Sequence, residues 1–439
     1  MIDIALVIFV VTIGFIIWGI IDRSLVALLG ALLLGLTGIL SLEDAVHYVD
    51  WDVVSILLGM WIIAEYLSGA GVSNLIIEWA SKKSKGFLGF LMIVAIIAGF
   101  LSLFVDNVLI VVLFGGIVAK TSKKAGIDPL LPVILVSLNA NFMGTALLLG
   151  DLPPQLLHSV AGAEFNDFIW INGRPSSFPL LTLTYLILNY LIYLWLKRRV
   201  TPGESLDISV SVDEFHVRRG QLWASIIIFA ITIIGMAFRQ GISNLLGFNV
   251  KLGEIALAGG LIMAAIAEVG RVLKRDYESF NEISSRIEWN ALIFYISLFI
   301  LVGGLVKTGF IDEAAKRMIS LATGHELLYS YSILYWFTGL SATIIEHDAL
   351  ILSLFNIIKD LSLHTGLNPW PLYWSIAWAG TLGSNATMAG APAIFVGVSI
   401  ATRVSGRKYT GFQILKYTLP YTMISLVIQY IVSIPVWAH

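Results

Sequence analysis

The stretch "SLFVDNVLIVVLFGG", Ser102 to Gly116, decides how this chain folds. Apolar residues surround Asp106 and Asn107, a carboxylate and an amide that hydrocarbon does not solvate. An acidic side chain at the bilayer centre costs at least ~2.5–3.5 kcal/mol on insertion scales. A second stretch, "SATIIEHDALILSLF" from Ser341 to Phe355, repeats the problem with Glu346, His347 and Asp348. Each sits inside an apolar region, 86–122 or 329–361, that exceeds the roughly 20 residues of one span. Irregular backbone at membrane depth survives only inside protein or beside a water-filled cavity. Both regions therefore read as re-entrant hairpins with polar tips.

The surrounding chain supplies the membrane context. Of its 439 residues 58% are hydrophobic and only 13% charged, against about 25% charged in a soluble domain. Mean hydropathy is +0.87. The fold class expected is an all-α polytopic membrane protein. A net charge of −2 leaves no basic surface for nucleic acid. The absence of cysteine excludes disulfides and thiolate metal sites. No small-residue cleavage pattern follows the first apolar run, so it reads as a retained helix. Full spans are expected at 3–20, 24–41, 53–68, 179–196, 221–238, 252–270, 290–306 and 412–436. Two soft-centred helices lie at 130–162 and 371–402. The total is about ten full spans plus two hairpins.

The two halves repeat. "GFLSLFVDNV" through "GDLPP", 99–154, lies over 339–394 at an offset of 240. Asp106 meets Glu346, Asn107 meets His347, and Gly126-Ile-Asp-Pro129 meets Gly366-Leu-Asn-Pro369. "WDVVSILLGMWIIAEYLSGAG", 51–71, lies over 289–309 at an offset of 238. The expected organisation is a first repeat over 1–200, a linker over 201–220 and a second repeat over 221–439. Lys and Arg set orientation. Treating 86–122 as a hairpin puts most of the 27 basic residues on one face, including Lys82, Lys83, Lys123, Lys124, Lys197, Arg198, Arg218, Arg219, Arg271 and Arg407. That face is cytoplasmic, so loop 197–220 is cytoplasmic and both termini are outside, at a cell membrane. Corresponding spans then run in opposite directions. Inverted repeats with interrupted helices are the architecture of secondary transporters, whose sites lie near the midplane between the repeats.

The soft centres supply the remaining site candidates. Asn141, Gly144, Thr145, Gly150 and Asp151 precede Pro153-Pro154, and Ser384, Asn385, Thr387 and Gly390 precede Pro392. Gly tolerates positive φ and Pro removes an N–H, so both segments are expected to unwind. Exposed half-helix N-termini bind anions, while free carbonyls suit Na⁺ or a proton donor. Asp106, Asp151, Glu346 and Asp348 face the site, titrate, or cap helices. Asn107 and Asn385 are candidates both to cap such ends and to contact a ligand. His347, with an ordinary pKa of about 6.5, suits proton coupling; the competing reading is a packed, hydrogen-bonded residue. Asp106, Asn107, Gly144 and Thr145 are a candidate Na⁺ set. Glu65 reads as an interface residue. No His-Glu-x-x-His, Gly-x-Ser-x-Gly or Gly-x-x-x-x-Gly-Lys occurs, so no enzyme and no resident cofactor are expected.

At these residues the chain resembles the ion transporter superfamily, in the branch holding arsenite-pump membrane subunits, bacterial sodium/proton antiporters and the melanosomal P protein, with a citrate transporter-like domain. The branch motifs read here "FVDN" (Phe104 to Asn107), "GTALLLGDLPPQ" (Gly144 to Gln155), "GSNATMAGAPAI" (Gly383 to Ile394) and "ILKYTLP" (Ile414 to Pro420). The departures are Gln155 where the family has Asn, and Glu346-His347-Asp348 where relatives carry Asp-Asn. The Ser-Asn-Thr tips of dicarboxylate transporters are missing, which weakens a citrate or succinate assignment. The resemblance implies fixed scaffold helices and a mobile unit of hairpins and broken helices, elevator-like alternating access, and a homodimer. The expected activity is secondary active transport of a small inorganic or organic anion, or an arsenite-like metalloid oxyanion, coupled to H⁺ or Na⁺. The alternative is a sodium/proton antiporter with no separate solute.

Overall fold

The computed structural model describes residues 2–18, 21–198, 217–314, 316, 327–344, 347–388 and 390–438. Glu346 and most of the 201–220 linker lie outside them. The described chain is almost entirely helical. Six helices are long and apolar enough to cross a membrane: Trp51–Gly69, Ser177–Lys197, Arg219–Ala237, Leu252–Val272, Trp289–Lys307 and Gly411–Trp437. Two expected spans give shorter helices among the described residues. Ile2–Trp18 has 17 residues and Arg23–Leu36 has 14. The latter spans about 21 Å at 1.5 Å per residue, against a hydrocarbon core of about 30 Å. It stops where Gly38 takes φ +72°, five residues before the expected end at 41. A short helix, Leu42–Tyr48, then starts from a Ser41/Asp44 capping box.

Both long apolar regions break at their polar centres. The first gives Gly86–Leu101 and Asn107–Lys124, the second Leu327–Ser341 and His347–Thr365. The soft-centred regions give Leu130–Gly144 with Leu152–Ala161, and Trp370–Ser384 with Pro392–Ser405. The helices after each break begin at equivalent positions, 240 residues apart: 107 and 347, 130 and 370, 152 and 392. The prolines act otherwise than expected. Pro153, Pro154 and Pro392 lie in the first turn of their helices, where an N–H has no intrahelical partner to lose. They start the second half-helix; they do not unwind the first.

Packing is reciprocal between the halves. Leu152–Ala161 lies against His347–Thr365, while Pro392–Ser405 lies against Asn107–Lys124. Likewise Trp51–Gly69 packs on Leu252–Val272, and Trp289–Lys307 on Arg23–Leu36. The first of these crossings is backbone on backbone. A Cβ on Gly59 would sit 2.3 Å from the Ala256 carbonyl carbon and oxygen, and one on Gly260 2.8 Å from the Gly59 carbonyl. Small residues four apart let membrane helices approach this closely, where dispersion rather than the hydrophobic effect holds them. Gly59→Ala is therefore expected to push the helices apart and cost about 1–3 kcal/mol, read as a lower unfolding temperature in detergent.

One non-helical element was not foreseen. Trp170–Ile171 pairs antiparallel with Arg174–Pro175 around Asn172 and Gly173, both at positive φ. Asn-Gly is the preferred pair for such a two-residue turn, so the signal was present in "WINGRP". Arg174 fastens the hairpin to the last long helix, donating to the Val436 carbonyl at 2.8 Å.

Candidate functional site

The first hairpin turns at 102–106, and Asp106 ends the turn as a helix cap. Its carboxylate accepts from the Val108 N–H at 2.9 Å and the Leu109 N–H at 3.2 Å. Asp106 thus supplies the capping foreseen for Asn107, and Asn107 is the first helical residue. Its amide donates to Asn141 Oδ1 at 2.8 Å and to Asp151 Oδ2 at 3.0 Å. Asp151 caps Leu152–Ala161, accepting from the Leu152 N–H at 2.9 Å. Two half-helix N-termini, each capped by a carboxylate, therefore meet through one amide.

Asn141 joins the halves. Its Nδ2 lies 3.1 Å from Ser384 Oγ, 3.2 Å from Asn385 Oδ1 and 3.4 Å from the Thr381 carbonyl. Asn385 ends Trp370–Ser384, so it marks a C-terminus and does not cap an N-terminus. Beside it Thr145 Oγ1 donates to Thr381 Oγ1 at 2.5 Å. The Thr145 carbonyl accepts from Ser177 Oγ at 3.0 Å, and Ser177 is itself fixed by Trp378 Nε1 at 2.9 Å. Buried polar groups need partners, and this chain of bonds supplies most of them, leaving Asn385 Nδ2 buried without one. Thr387 is also occupied: its hydroxyl donates to the Thr343 carbonyl at 2.8 Å and receives the Gly390 N–H at 3.1 Å.

Gly144, Gly150 and Gly390 are required by space. A Cβ on Gly144 would lie 3.0 Å from Asp151 Cβ. One on Gly150 would lie 2.0 Å from the Ser102 carbonyl oxygen and 2.6 Å from that of Gly144. One on Gly390 would meet the Ser384 carbonyl at 2.6 Å and the Ala342 carbonyl at 2.8 Å. Each break is pressed against the turn of its own hairpin, in the same way in both halves.

In front of this network is a cavity of about 520 Å³. Asp106, Asn107, Asp151, His347 and Asp348 line it. His347 and Asp348 open the second tip helix, with His347 Nε2 3.4 Å from Asp348 Oδ1. Asp348 lies in the first turn of its helix. Asn141, Thr145, Ser384 and Asn385 stand behind the lining, fully buried. Of the candidate Na⁺ set, Asp106 and Asn107 reach the cavity, whereas Thr145 has its hydroxyl and carbonyl engaged elsewhere.

Four other charged or aromatic walls were missed by sequence reasoning: Asp22 with Arg23, Trp61, Glu288 and Tyr295. Asp22-Arg23 lies between two apolar runs and reads as a loop. In the structure Asp22 caps Arg23–Leu36, and the Arg23 guanidinium sits 4.9 Å from the Phe294 ring centroid. The cavity wall then carries five carboxylates, Asp22, Asp106, Asp151, Glu288 and Asp348, against one guanidinium. Among the described residues no cluster of three metal-ligating side chains occurs. Glu65, read as an interface residue, is buried in a network. Its carboxylate accepts from Arg286 Nε at 2.8 Å, and Arg286 Nη2 reaches Glu278 at 2.9 Å. Glu65, Arg286, Glu288, Trp61 and Asp106 border a second cavity of about 260 Å³. Asp106 therefore borders both cavities.

The comparisons fit this arrangement. An uncharacterized transporter of Mycobacterium tuberculosis is 27% identical over 421 residues, covering 93% of this chain and 92% of its own. Magnetosome protein MamN of Magnetospirillum gryphiswaldense is 25% identical, covering 80% of this chain and 76% of its own. Human P protein is 23% identical over 485 residues, covering 93% of this chain and 57% of P protein. The YdaH transporter of Alcanivorax borkumensis shares the fold at a TM-score of 0.54 and 15% identity, covering 91% and 86% of the two chains. The family model described as citrate transporter matches residues 13–379. This chain, with its paired hairpins and broken helices around a polar cavity, belongs to the citrate transporter family of membrane transporters.

Proposed function

We propose that the protein is a secondary active transporter of a small anion or metalloid oxyanion, coupled to H⁺ or Na⁺, working by elevator-type alternating access. The observation that carries this reading is the meeting of two capped half-helix N-termini, at Asp106 and Asp151, with His347 and Asp348 across one cavity. The acids at these ends supply sites for a coupling cation, and the Asn107 amide and His347 supply polar contacts for a solute. The halves are inverted about an axis in the membrane plane, a reading that the reciprocal packing supports. The working protein is a homodimer, and loop 197–220 faces the cytoplasm. Because the chain has no cysteine, single introduced cysteines test that orientation without background. Labelling of one at 205 only after the membrane is permeabilised from the cytoplasmic side is the expected result.

Charge narrows the solute. A wall with five acidic side chains against one guanidinium disfavours a free multivalent anion, so citrate is disfavoured despite the family's name. A metalloid hydroxide that is neutral near pH 7, such as arsenite, meets no such barrier. The same acid-rich wall favours the second reading, a sodium/proton antiporter. Proteoliposomes separate the two. Arsenite uptake driven by an imposed H⁺ or Na⁺ gradient, with no collapse of a pH gradient by Na⁺ alone, supports the first. Collapse by Na⁺ alone, without uptake of arsenite or an inorganic anion, supports the antiporter.

A further inference from the structure

Helix Leu152–Ala161 carries a titratable group that the cavity does not use. Asp151 at its start faces the cavity, while His158 lies about two turns further along. His158 Nε2 is 3.1 Å from Asp52 Oδ2, and Nδ1 is 2.7 Å from the Ala163 carbonyl oxygen. Both partners are acceptors. A neutral imidazole has one N–H, so it satisfies one acceptor and turns a lone pair on the other. The contacts are satisfied together only with one additional proton, placed either on the imidazole or on the carboxylate facing it. Asp52 is held from its other side as well: Oδ1 accepts from the Gly253 N–H at 2.7 Å. The His158 and Asp52 side chains are only 12% and 13% exposed.

We propose that His158 and Asp52 form a second proton-binding site, apart from the cavity, whose proton clasps helix Leu152–Ala161 to helices Trp51–Gly69 and Leu252–Val272. The charges around it are few. Lys251 acts on Asp52, and Glu164 acts on His158. Glu164 is paired with Arg239, whose Nε is 3.0 Å from Oε2. On the packed helix His347–Thr365, His347 and Asp348 lie at the Asp151 end and Lys359, Asp360 and His364 in the last two turns; Trp370–Ser384 contributes only Tyr373 as a titratable side chain. Glu65 and Tyr66 lie near the far end of Trp51–Gly69. Two further ties hold the loop that follows: the Glu164–Arg239 pair, and Asn166 Nδ2 donating to the Ala237 carbonyl at 2.9 Å. In the elevator reading, on which the functional meaning of the clasp rests, the first helix moves past the other two. The clasp must open for that movement.

The sign of the pH effect follows from the proton count. The clasp is complete below the ordinary imidazole value of ~6.5 and is lost only as pH rises past it, because the Asp52 contact holds the proton in the folded chain. Thermal unfolding of the full chain in detergent, at about pH 5.5 and about pH 8.5 on either side of that value, tests it without any solute. His158→Gln is expected to lower the unfolding temperature by about 2–4 °C at the acidic pH and by less at the alkaline pH. Asp52→Asn turns an amide donor toward Nε2 of the neutral imidazole and keeps an oxygen for the Gly253 N–H, so it should remove the pH dependence. His158→Arg, which keeps a donor and a charge, should show no pH dependence at this site. Equal penalties for His158→Gln at both pH values, or an unchanged pH dependence in Asp52→Asn, overturn the proposal. In proteoliposomes wild-type exchange of ²²Na⁺ or arsenite should slow at acidic pH, and His158→Gln should remove that slowing. If the thermal coupling holds and neither probe is moved, the elevator reading fails while the proton site stands. If the thermal coupling is missing while transport proceeds, the reverse holds.

Discussion

Asp106→Asn folds like the wild type and loses transport. Asn is as good a helix cap as Asp, so the Val108 and Leu109 N–H groups keep their acceptor. What disappears is the negative charge and the second lone-pair oxygen at the point where both cavities meet. Hydrogen bonds to charged groups contribute about 1.5–3 kcal/mol, and each 1.4 kcal/mol is about tenfold. Uptake in proteoliposomes should therefore fall by about ten- to a hundredfold, with an unfolding temperature close to that of the wild type. Asp106→Ala loses the cap as well, at about 1 kcal/mol, and should unfold earlier. Asp106→Asn with full uptake and unchanged pH dependence would take Asp106 out of the mechanism.

Gly150→Ala removes the folded site altogether. The added methyl would lie 2.0 Å from the Ser102 carbonyl and 2.6 Å from the Gly144 carbonyl. Both are main-chain atoms, so no side chain can swing aside. Either the hairpin turn, which ends at Asp106, retreats or the break in the helix, which carries Asp151, does, and the Asn107 bond to Asp151 is stretched. Overpacking of this kind costs about 1–3 kcal/mol or more, and the displacement separates Asp106 from Asp151. Expected results are a lower unfolding temperature and transport reduced by about a hundredfold, because misplacement by an ångström at a binding centre is that costly. Gly390→Ala is expected to act in the same way, since a Cβ there meets the Ala342 and Ser384 carbonyls. Gly14→Ala, with nothing within 4 Å of the added carbon, is the control. A Gly150→Ala protein with normal melting and normal uptake would show that the break and the turn are not rigidly joined.

Much of the architecture was legible because lipid leaves few choices. An apolar run must be a helix, and a polar pair inside one must mark a break. The spans Ser177–Lys197 and Trp289–Lys307, and the breaks after Leu101, Gly144 and Ser384, follow from composition and the 240-residue offset alone. Misreadings came from local chemistry. Pro153 and Pro154 looked like helix breakers and are helix starters, because the same missing N–H is harmless in a first turn. Asn172-Gly173 held a hairpin signal that a search for spans passed over.

The site was legible only in part. Periodicity and polarity pointed to Asp106, Asn107, Asp151, His347 and Asp348, since charge in an apolar run is costly wherever it lies. They did not tell apart residues that face the cavity from those that hold the frame. Thr145 and Thr387 are spent on neighbours, while Asp22, Arg23 and Glu288 come from span ends that read as loops. The chain by itself determined where helices must stop, because desolvation is a local cost that each residue bears. Only tertiary structure decided which stopped ends face one another and which acids share a wall, because those depend on packing between residues some 240 positions apart.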